Sequence, residues 1–227
     1  MPLTLPDSKI IWAVRPINQT SNELLNALEE KDWYLPSLQQ MVMENRKREW
    51  LSVRLLLKEM LEEEKQIAYT PAGKPYLADH SYHLSISHTK GYVAVALHKE
   101  SSLGIDIEYI SPRVKKIRSR FMSETEEQHL CKDKEEIHLL LHWSAKESLF
   151  KALEEENVDF QECLHIQPFQ PVIGELSSFH ACETRTEKKY DFIIHYLVRE
   201  DYVLTFTSKV LCEPCLPNIH GYSKRYY

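Results

Sequence analysis

The chain has 227 residues, only five glycines and a formal net charge of −6 at pH 7. Its length fits one large domain or two small ones of about 100 residues each. The acidic balance argues against wholesale nucleic-acid binding, whose footprint is basic. No apolar run reaches the roughly 18 residues of a membrane span, and the N-terminus lacks the pattern of a signal peptide. We therefore expect a cytoplasmic protein with no nucleic-acid or membrane partner.

Two further site types find little support in the sequence. Neither GxGxxG nor GxxxxGK[ST] occurs, which argues against the two common glycine-rich nucleotide cradles. The five cysteines are odd in number and scattered, so no disulfide framework is expected. Cys212 and Cys215 form one CxxC pair near His220, whereas a structural zinc normally needs four ligands. The alternative is a pair of ordinary thiols in a proline-containing tail.

In chain order, the first predicted elements are a strand at residues 10–15, a short helix at 22–28, a loop around Pro36 and a long helix at 43–64. Turn residues at 70–75 precede three strands, which are predicted at 82–87, 92–98 and 103–110. A short helix at 123–131, a long helix at 135–155 and a hairpin of 190–198 with 201–208 follow. The long helices are indicated by apolar residues at helical spacing, and the hairpin by two β-rich runs.

The two long helical segments, 49–64 and 142–157, resemble each other. The matching pairs are Trp50 with Trp143, Lys58 with Lys151, and Tyr92 with Tyr202 in a following strand. Chance explains the match equally well, because Leu, Lys and Glu are common helix formers. If the match reflects internal duplication, it predicts two similar α+β halves with a cleft between them.

Two acidic residues share one face of a predicted strand. Asp106 and Glu108 are two residues apart, so their side chains point the same way, while Ile105 and Ile107 point to the other face. Two neighbouring carboxylates repel each other unless a cation lies between them. A cation site is therefore one interpretation, and an exposed edge strand with two ordinary acids is the other.

A second group of polar residues lies on the long helix at 135–155. Trp143, Glu147 and Lys151 are each four residues apart and fall on one helical stripe. An ordinary surface ion pair explains Glu147 and Lys151 in isolation. If Glu147 converges with the two strand acids, however, three carboxylates would suit Mg²⁺, which takes oxygen ligands and accepts phosphate oxygens from a substrate. A lysine beside such an ion is suited to neutralise a departing phosphate.

These two segments carry a family resemblance. GIDIE at 104–108 and WSAKESLFKAL at 143–153 closely resemble the signature motifs of the 4'-phosphopantetheinyl transferases. GKPYL at 73–77, followed by LSISHTKG at 84–91, is similar to the larger, surfactin-synthetase-activating type of that family. The resemblance spans about 48–151.

The resemblance implies a fold, a reaction and a partner. The fold would be α+β, with two pseudo-symmetric α/β halves at 1–103 and 104–227, a cofactor cleft between them and a monomeric state. The enzyme, of the holo-[acyl-carrier-protein] synthase type, would move the 4'-phosphopantetheine arm of coenzyme A to a serine of an acyl or peptidyl carrier protein. The reaction would require Mg²⁺ and release 3',5'-ADP.

The resemblance also implies roles for single residues. Mg²⁺ would be held by Asp106, Glu108 and Glu147, and Lys151 would stabilise or protonate the leaving 3',5'-ADP. Contacts to the nucleotide phosphates are expected from Lys74, Ser87 and His88. Arg48 would bind a phosphate from the first long helix, and an uncertain register leaves as alternatives Arg46, Lys47 and Arg54.

Two further features each keep two interpretations. Glu126 would help to deprotonate the incoming serine in the family, but Ser123 and Glu126 also have the spacing of a helix capping box. A basic stretch follows the acidic strand, and its members are Arg113, Lys115, Lys116, Arg118 and Arg120. This stretch would either steer an acidic carrier protein or form a solvated loop. Rival functions are a metal-dependent phosphohydrolase and a binding module without catalysis.

Overall fold

The computed structural model describes residues 3–4 and 9–209. Its helices are α1 (Ser21–Asn26), α2 (Lys31–Gln40), α3 (Glu44–Leu61), α4 (Arg113–Ile117), α5 (Glu124–Gln128) and α6 (Glu135–Leu153). Its strands are β1 (Leu3–Thr4), β2 (Ile11–Pro16), β3 (Ile67–Tyr69), β4 (Pro75–Leu77), β5 (His83–Thr89), β6 (Tyr92–His98), β7 (Leu103–Tyr109), β8 (Leu164–Ile166), β9 (Leu176–Glu183), β10 (Asp191–Val198) and β11 (Tyr202–Ser208). The Cys212–Cys215 pair with His220 lies outside the described residues. Within the described ranges, no helix combines the length and the apolar character that crossing a membrane requires.

Most elements predicted from periodicity are confirmed, and the region around Pro36 is a correction. A loop was expected there, whereas α2 runs through Pro36 and buries Tyr34 and Leu38. The cause is a tertiary contact before the helix. The carboxylate of Glu64 accepts hydrogen bonds from the backbone N–H groups of Glu29 and Glu30, at 2.5 and 3.1 Å, and so holds the segment that leads into α2.

The described strands form three antiparallel sheets, and helices pack against the two larger ones. The strand orders are β1-β2-β6-β5, β7-β11-β10-β9-β8 and the small β3-β4 pair. Helix α3 contacts β2 and β6 of the first sheet, and α6 contacts β7 and β11 of the second. The order β2-β6-β5 in the first sheet therefore matches β7-β11-β10 in the second, each with a long helix against it.

The two larger sheets share a core. Ile10 and Trp12, at the start of the first sheet, belong to one buried cluster with Ile105, Ile107 and Phe206 of the second. The isoleucines that alternate with the two acids are thus buried, as the strand periodicity predicted. Strand β7 is therefore interior, with β11 on one side and β5 on the other.

Candidate active site

Asp106 lies at the centre of the polar groups on β7. Its side chain is buried (5% exposed), which contradicts the alternative of an ordinary acid on an exposed edge. Oδ1 accepts hydrogen bonds from Ser87 Oγ and Lys151 Nζ, both at 2.9 Å. Oδ2 is also buried, and no polar atom of the described residues bonds to it. A buried carboxylate oxygen without a partner is costly, so this atom is suited to take a further cation or donor.

A glycine allows Lys151 to reach that carboxylate. A Cβ atom built on Gly104 would lie 1.8 Å from the backbone oxygen of Ser148 and 3.1 Å from Cβ of Lys151. Helix α6 therefore passes against β7 at a distance that only glycine permits. Lys151 Nζ also donates to the carbonyl oxygen of Ile105 at 2.9 Å, so its ammonium group is fixed by both the side chain and the backbone of β7.

The other two predicted carboxylates are electrostatically coupled to Asp106. Burial, followed by the nearby Asp106 charge, raises the pKa of Glu108 to about 7. Burial and Asp106 also raise the pKa of Glu147. Trp143 Nε1 donates to Glu108 Oε1 at 2.8 Å. The helical spacing placed Trp143 on the same side of the helix as Glu147 and Lys151, but it did not predict this partner. Like charges in a desolvated place raise one another's pKa values, so this is where a cation would lower the free energy.

The donor set fits Mg²⁺ in its chemistry. All the candidate ligands are oxygens, which Mg²⁺ prefers, and the buried Oδ2 of Asp106 has no hydrogen-bond partner in the part of the chain that the structure describes. Between residues 9 and 209, however, no three His, Cys, Asp or Glu side chains are gathered as a metal-binding group. A site made from these residues would thus be completed by other oxygens, such as those of a substrate or water.

A pocket of about 190 Å³ lies beside β5, and it is positively charged on balance because Arg46 and Arg54 line it together with a single carboxylate, Glu49. Arg54, at its wall, is 4% exposed and donates to Trp50 O (2.9 Å) and Tyr69 Oη (3.2 Å). Burial lowers the pKa of this guanidinium, and no carboxylate of the described residues forms an ion pair with it. Arg46 Nη1 lies 3.4 Å from His88 Nε2 at the same pocket. The Glu49 carboxylate lies 3.3 Å from His88 Nε2 and leaves Arg54 without an acid partner among the described residues. A buried cation in this position favours an anion as the ligand.

The structure separates the candidates for a phosphate-binding arginine on the first long helix. Arg48, the predicted residue, donates to the carbonyl oxygens of Ile17 (2.7 Å) and Gln19 (2.8 Å). Its guanidinium therefore holds the turn after β2. Two of the alternatives, Arg46 and Arg54, line the pocket instead. Sequence reasoning left this open because helical register alone does not say which face meets β5.

Lys74 lies at a neighbouring, larger pocket. It is ion-paired with Glu154 at the end of α6, and the two line a cavity of about 500 Å³ with several aromatic residues. Burial lowers the pKa of the Lys74 ammonium, with a contribution from Lys209. Glu154 follows Lys151 by three residues, so Lys74 lies near the end of the helix that carries Lys151.

Glu126 is held as a structural residue. Its Oε2 accepts from Ser123 N (2.9 Å), Ser123 Oγ (3.0 Å) and Lys146 Nζ (2.8 Å), and its Oε1 accepts from Ile166 N (2.9 Å). The residue is 5% exposed, so both oxygens are occupied and shielded. The capping-box interpretation is confirmed, and nothing in the geometry supports the catalytic interpretation.

Lys146 is the functional-motif residue that sequence reasoning missed. It is fully buried and donates to the carbonyl oxygens of Phe121 (2.6 Å) and Phe160 (2.8 Å) as well as to Glu126. These bonds tie α6 to two loops, and so they orient the helix that carries Glu147 and Lys151. The available signal was the position of Lys146 beside Glu147, within the same motif at 143–153 that carries Lys151.

Within the described residues, some basic side chains of the stretch at 113–120 form ion pairs with glutamates and others do not. Lys115 pairs with Glu135 at 2.8 Å, and Arg118 pairs with both Glu127 and Glu135. Arg113 and Lys116 instead line a groove of about 770 Å³, together with Lys90, Glu108 and Trp143. The groove therefore joins the acidic site to exposed basic side chains.

Comparison with known protein families gives one match. Residues 102–207 match the 4'-phosphopantetheinyl transferase superfamily, so this part of the chain carries a domain of that superfamily. Its members use coenzyme A and act on carrier proteins. The matched range contains the three carboxylates and Lys151, and it ends before the described residues do. No curated protein matches the sequence significantly.

Proposed function

We propose that this protein transfers the 4'-phosphopantetheine arm of coenzyme A to a serine of an acyl or peptidyl carrier protein, and that 3',5'-ADP is released. The proposal extends the superfamily match at 102–207 to the whole chain, as a larger enzyme of the surfactin-synthetase-activating type. The observation that carries it is the buried Asp106, which is held by Lys151 and Ser87 and has one oxygen without a hydrogen-bond partner among residues 9–209.

The N-terminal half would supply the nucleotide side of the site. Ser87 and His88 are consecutive residues of β5, so the Ser87–Asp106 contact and the Arg46–His88 contact lie on opposite faces of the same strand. We assign the phosphate contacts to Arg46, Arg54, His88 and Lys74, and we leave Arg48 as a backbone clamp. The matching strand orders of the two sheets support two related halves, at 1–103 and 104–227, with coenzyme A between them.

Asp106, Glu108 and Glu147 would hold Mg²⁺, which when bound supplies charge neutralisation to the pyrophosphate oxygens. Lys151 would stabilise the phosphate of the leaving 3',5'-ADP, since its ammonium already points at the same carboxylate. The serine Oγ forms a bond to the β-phosphorus while the bond from that phosphorus to the bridging oxygen of the ADP phosphate breaks. The serine proton would pass to Glu147, because the oxygens of Glu126 are occupied. Alignment and charge stabilisation carry most of such a transfer.

The carrier protein would dock along the groove beside Trp143. Lys115 and Arg118 are engaged in ion pairs, whereas Arg113 and Lys116 form none within the described residues. These two side chains therefore offer positive charge to an acidic partner. Such charges raise the association rate more than the final affinity. The apolar side chains of Val114 and Ile117 line the same groove.

The deciding experiment is the intact mass of an apo carrier protein after incubation with the protein, coenzyme A and Mg²⁺. A gain of one phosphopantetheine arm, lost on addition of EDTA and in a folded Asp106→Asn variant, is the expected result. No gain with fatty-acid, polyketide and peptide carriers would reject the proposal. Release of 3',5'-ADP without any gain would indicate a hydrolase instead.

A further inference from the structure

Strand β5 is joined to β7 through side-chain hydroxyl groups. The backbone N–H of Ile105 donates to Ser85 Oγ at 3.0 Å, and the N–H of Tyr109 donates to Thr89 Oγ1 at 3.0 Å. Between them, Ser87 Oγ donates to Asp106 Oδ1 at 2.9 Å. Side chains at alternate positions of a strand share a face, so the three hydroxyl groups lie on one face of β5, the face that meets β7.

These side-chain hydrogen bonds stand where backbone-to-backbone hydrogen bonds would join two neighbouring strands of one sheet. The other edge of β7 pairs with β11 in the ordinary antiparallel manner. On the β5 side, the acceptors are hydroxyl oxygens, and the two strands belong to different sheets. Buried backbone N–H groups need partners, and Ser85 is itself buried. The alignment of the two strands therefore depends on a few side-chain atoms.

These bonds lie on both sides of the carboxylates. Ile105 directly precedes Asp106, and Tyr109 directly follows Glu108. Strand β5 also carries His88, which lies against Arg46 at the positively charged pocket. The hydrogen bonds between β7 and the hydroxyl groups of Ser85 and Thr89 thus set the spacing between the positively charged pocket beside β5 and the two carboxylates of β7.

We propose that Ser85 and Thr89 are positioning residues. They hold the backbone of β7 against β5, so that Asp106 and Glu108 lie at a fixed distance from the positively charged pocket. The inference rests on the proposed function and assigns roles to two residues that touch neither phosphate nor carboxylate. A shift of about 1 Å in a catalytic group costs as much as about a hundredfold in rate, so the loss of one such bond has a measurable effect.

The test uses variants that change one atom group each. Thr89→Val keeps the shape and removes the acceptor, Thr89→Ser keeps the hydroxyl, and Ser85→Ala removes the other acceptor. The matched control is Ser52→Ala, because the buried Ser52 hydroxyl on α3 has no hydrogen-bond partner in the described residues. Each variant is assayed for kcat, for KM of coenzyme A and for the Mg²⁺ concentration that gives half-maximal rate, after its folding is checked by thermal melting.

We expect Thr89→Val and Ser85→Ala each to lower kcat by about tenfold or more and to raise the Mg²⁺ requirement. Thr89→Ser should restore both values, and Ser52→Ala should behave as the wild type. A purely structural role would lower the melting temperature and leave the Mg²⁺ requirement unchanged. Folded Thr89→Val and Ser85→Ala proteins with wild-type kcat and Mg²⁺ dependence would overturn the proposal.

A second readout separates this inference from the proposed function. Absence of transfer by the wild type would reject the proposed function. The positioning role would then be tested by measuring Mg²⁺ binding to the wild type and the variants by calorimetry, without coenzyme A or carrier protein. Weaker binding in Thr89→Val, with recovery in Thr89→Ser, would support the role. Equal binding in all variants would reject it.

Discussion

Lys151 and Asp106 form an ion pair between helix α6 and strand β7. The Nζ to Oδ1 distance is 2.9 Å, and the same Nζ lies 2.9 Å from the carbonyl oxygen of Ile105. The Asp106 side chain is 6% exposed, whereas that of Lys151 is 27% exposed. The buried carboxylate thus depends on a lysine that still faces the site.

Replacement of this lysine should reduce both activity and stability. In Lys151→Met the Asp106 charge loses its only ion-pair partner in the described residues, and a buried pair broken from one side costs up to about 3–5 kcal/mol. Transfer should fall by at least about a hundredfold. Urea denaturation and carrier-protein mass measure the two effects. In Lys151→Arg the charge is kept but the geometry is not, so recovered stability without recovered transfer is expected, and full transfer would contradict the role.

Gly104→Ala should disturb the helix–strand contact. Its new Cβ would overlap the backbone oxygen of Ser148, and overpacking of this kind costs on the order of 1–3 kcal/mol or more. Gly91→Ala is the comparison, because there the Cβ meets nothing and only the φ of 79° is unfavourable. A denaturation midpoint that falls further for Gly104→Ala supports the close approach. Equal midpoints would show that α6 can move away without cost.

Glu126 and Lys146 should behave as a structural pair. Lys146→Met leaves a buried carboxylate without its cation and should lower the free energy of unfolding by about 3–5 kcal/mol. Lys146→Met combined with Glu126→Leu should recover part of that loss. If Glu126 were the base, Glu126→Gln would change the pH dependence of kcat in a protein of normal stability. We expect lowered stability and an unchanged pH profile.

A buried histidine pair should make stability pH-dependent. Burial, followed for His138 by the neighbouring His142, lowers the pKa of both residues to about 4, from about 6.5 in the unfolded chain. The unfolded state therefore binds more protons between these values, so stability is complete above about pH 6.5 and is lost as the pH falls toward 4. The loss is at most roughly 3 kcal/mol per histidine.

The pH effect is measured by chemical denaturation at several pH values between 7 and 4. His142→Phe keeps an aromatic ring against Phe169, which it contacts with a centroid distance of 5.5 Å, and removes one titrating group. This variant should show a shallower loss of stability across the window. An equally steep loss would assign the effect to other groups.

The division of the basic stretch predicts a selective effect on the carrier protein. Arg113→Glu with Lys116→Glu should slow transfer at low salt by lowering kcat/KM for an acidic carrier, with the KM of coenzyme A unchanged. Lys115→Glu is the control, because that side chain is already paired with Glu135. The docking groove would be rejected if the double variant and the control lowered kcat/KM equally, or if the double variant had no effect on kcat/KM at low salt.

Periodicity and short motifs predicted much of this fold. The alternation at 105–108 placed two isoleucines in the core and two acids on the other face, because side chains alternate along a strand. Spacing by four placed Trp143, Glu147 and Lys151 on one side of α6 for the same kind of local reason. Helix α2 was missed, since its entry depends on Glu64, more than thirty residues away.

Local sequence patterns were enough to show which residues share a strand or helix face, and which superfamily the segment at 102–207 resembles. They did not show which side chains would become partners. That required the packed structure, in which Lys151 meets Asp106, Lys146 meets Glu126, and Arg48 meets two backbone carbonyls while Arg46 meets His88. Face-sharing follows from local backbone geometry. Partner choice depends on how closely α6, β5 and β7 pack, and that distance is set by contacts between residues far apart in the chain, such as Gly104 against Ser148.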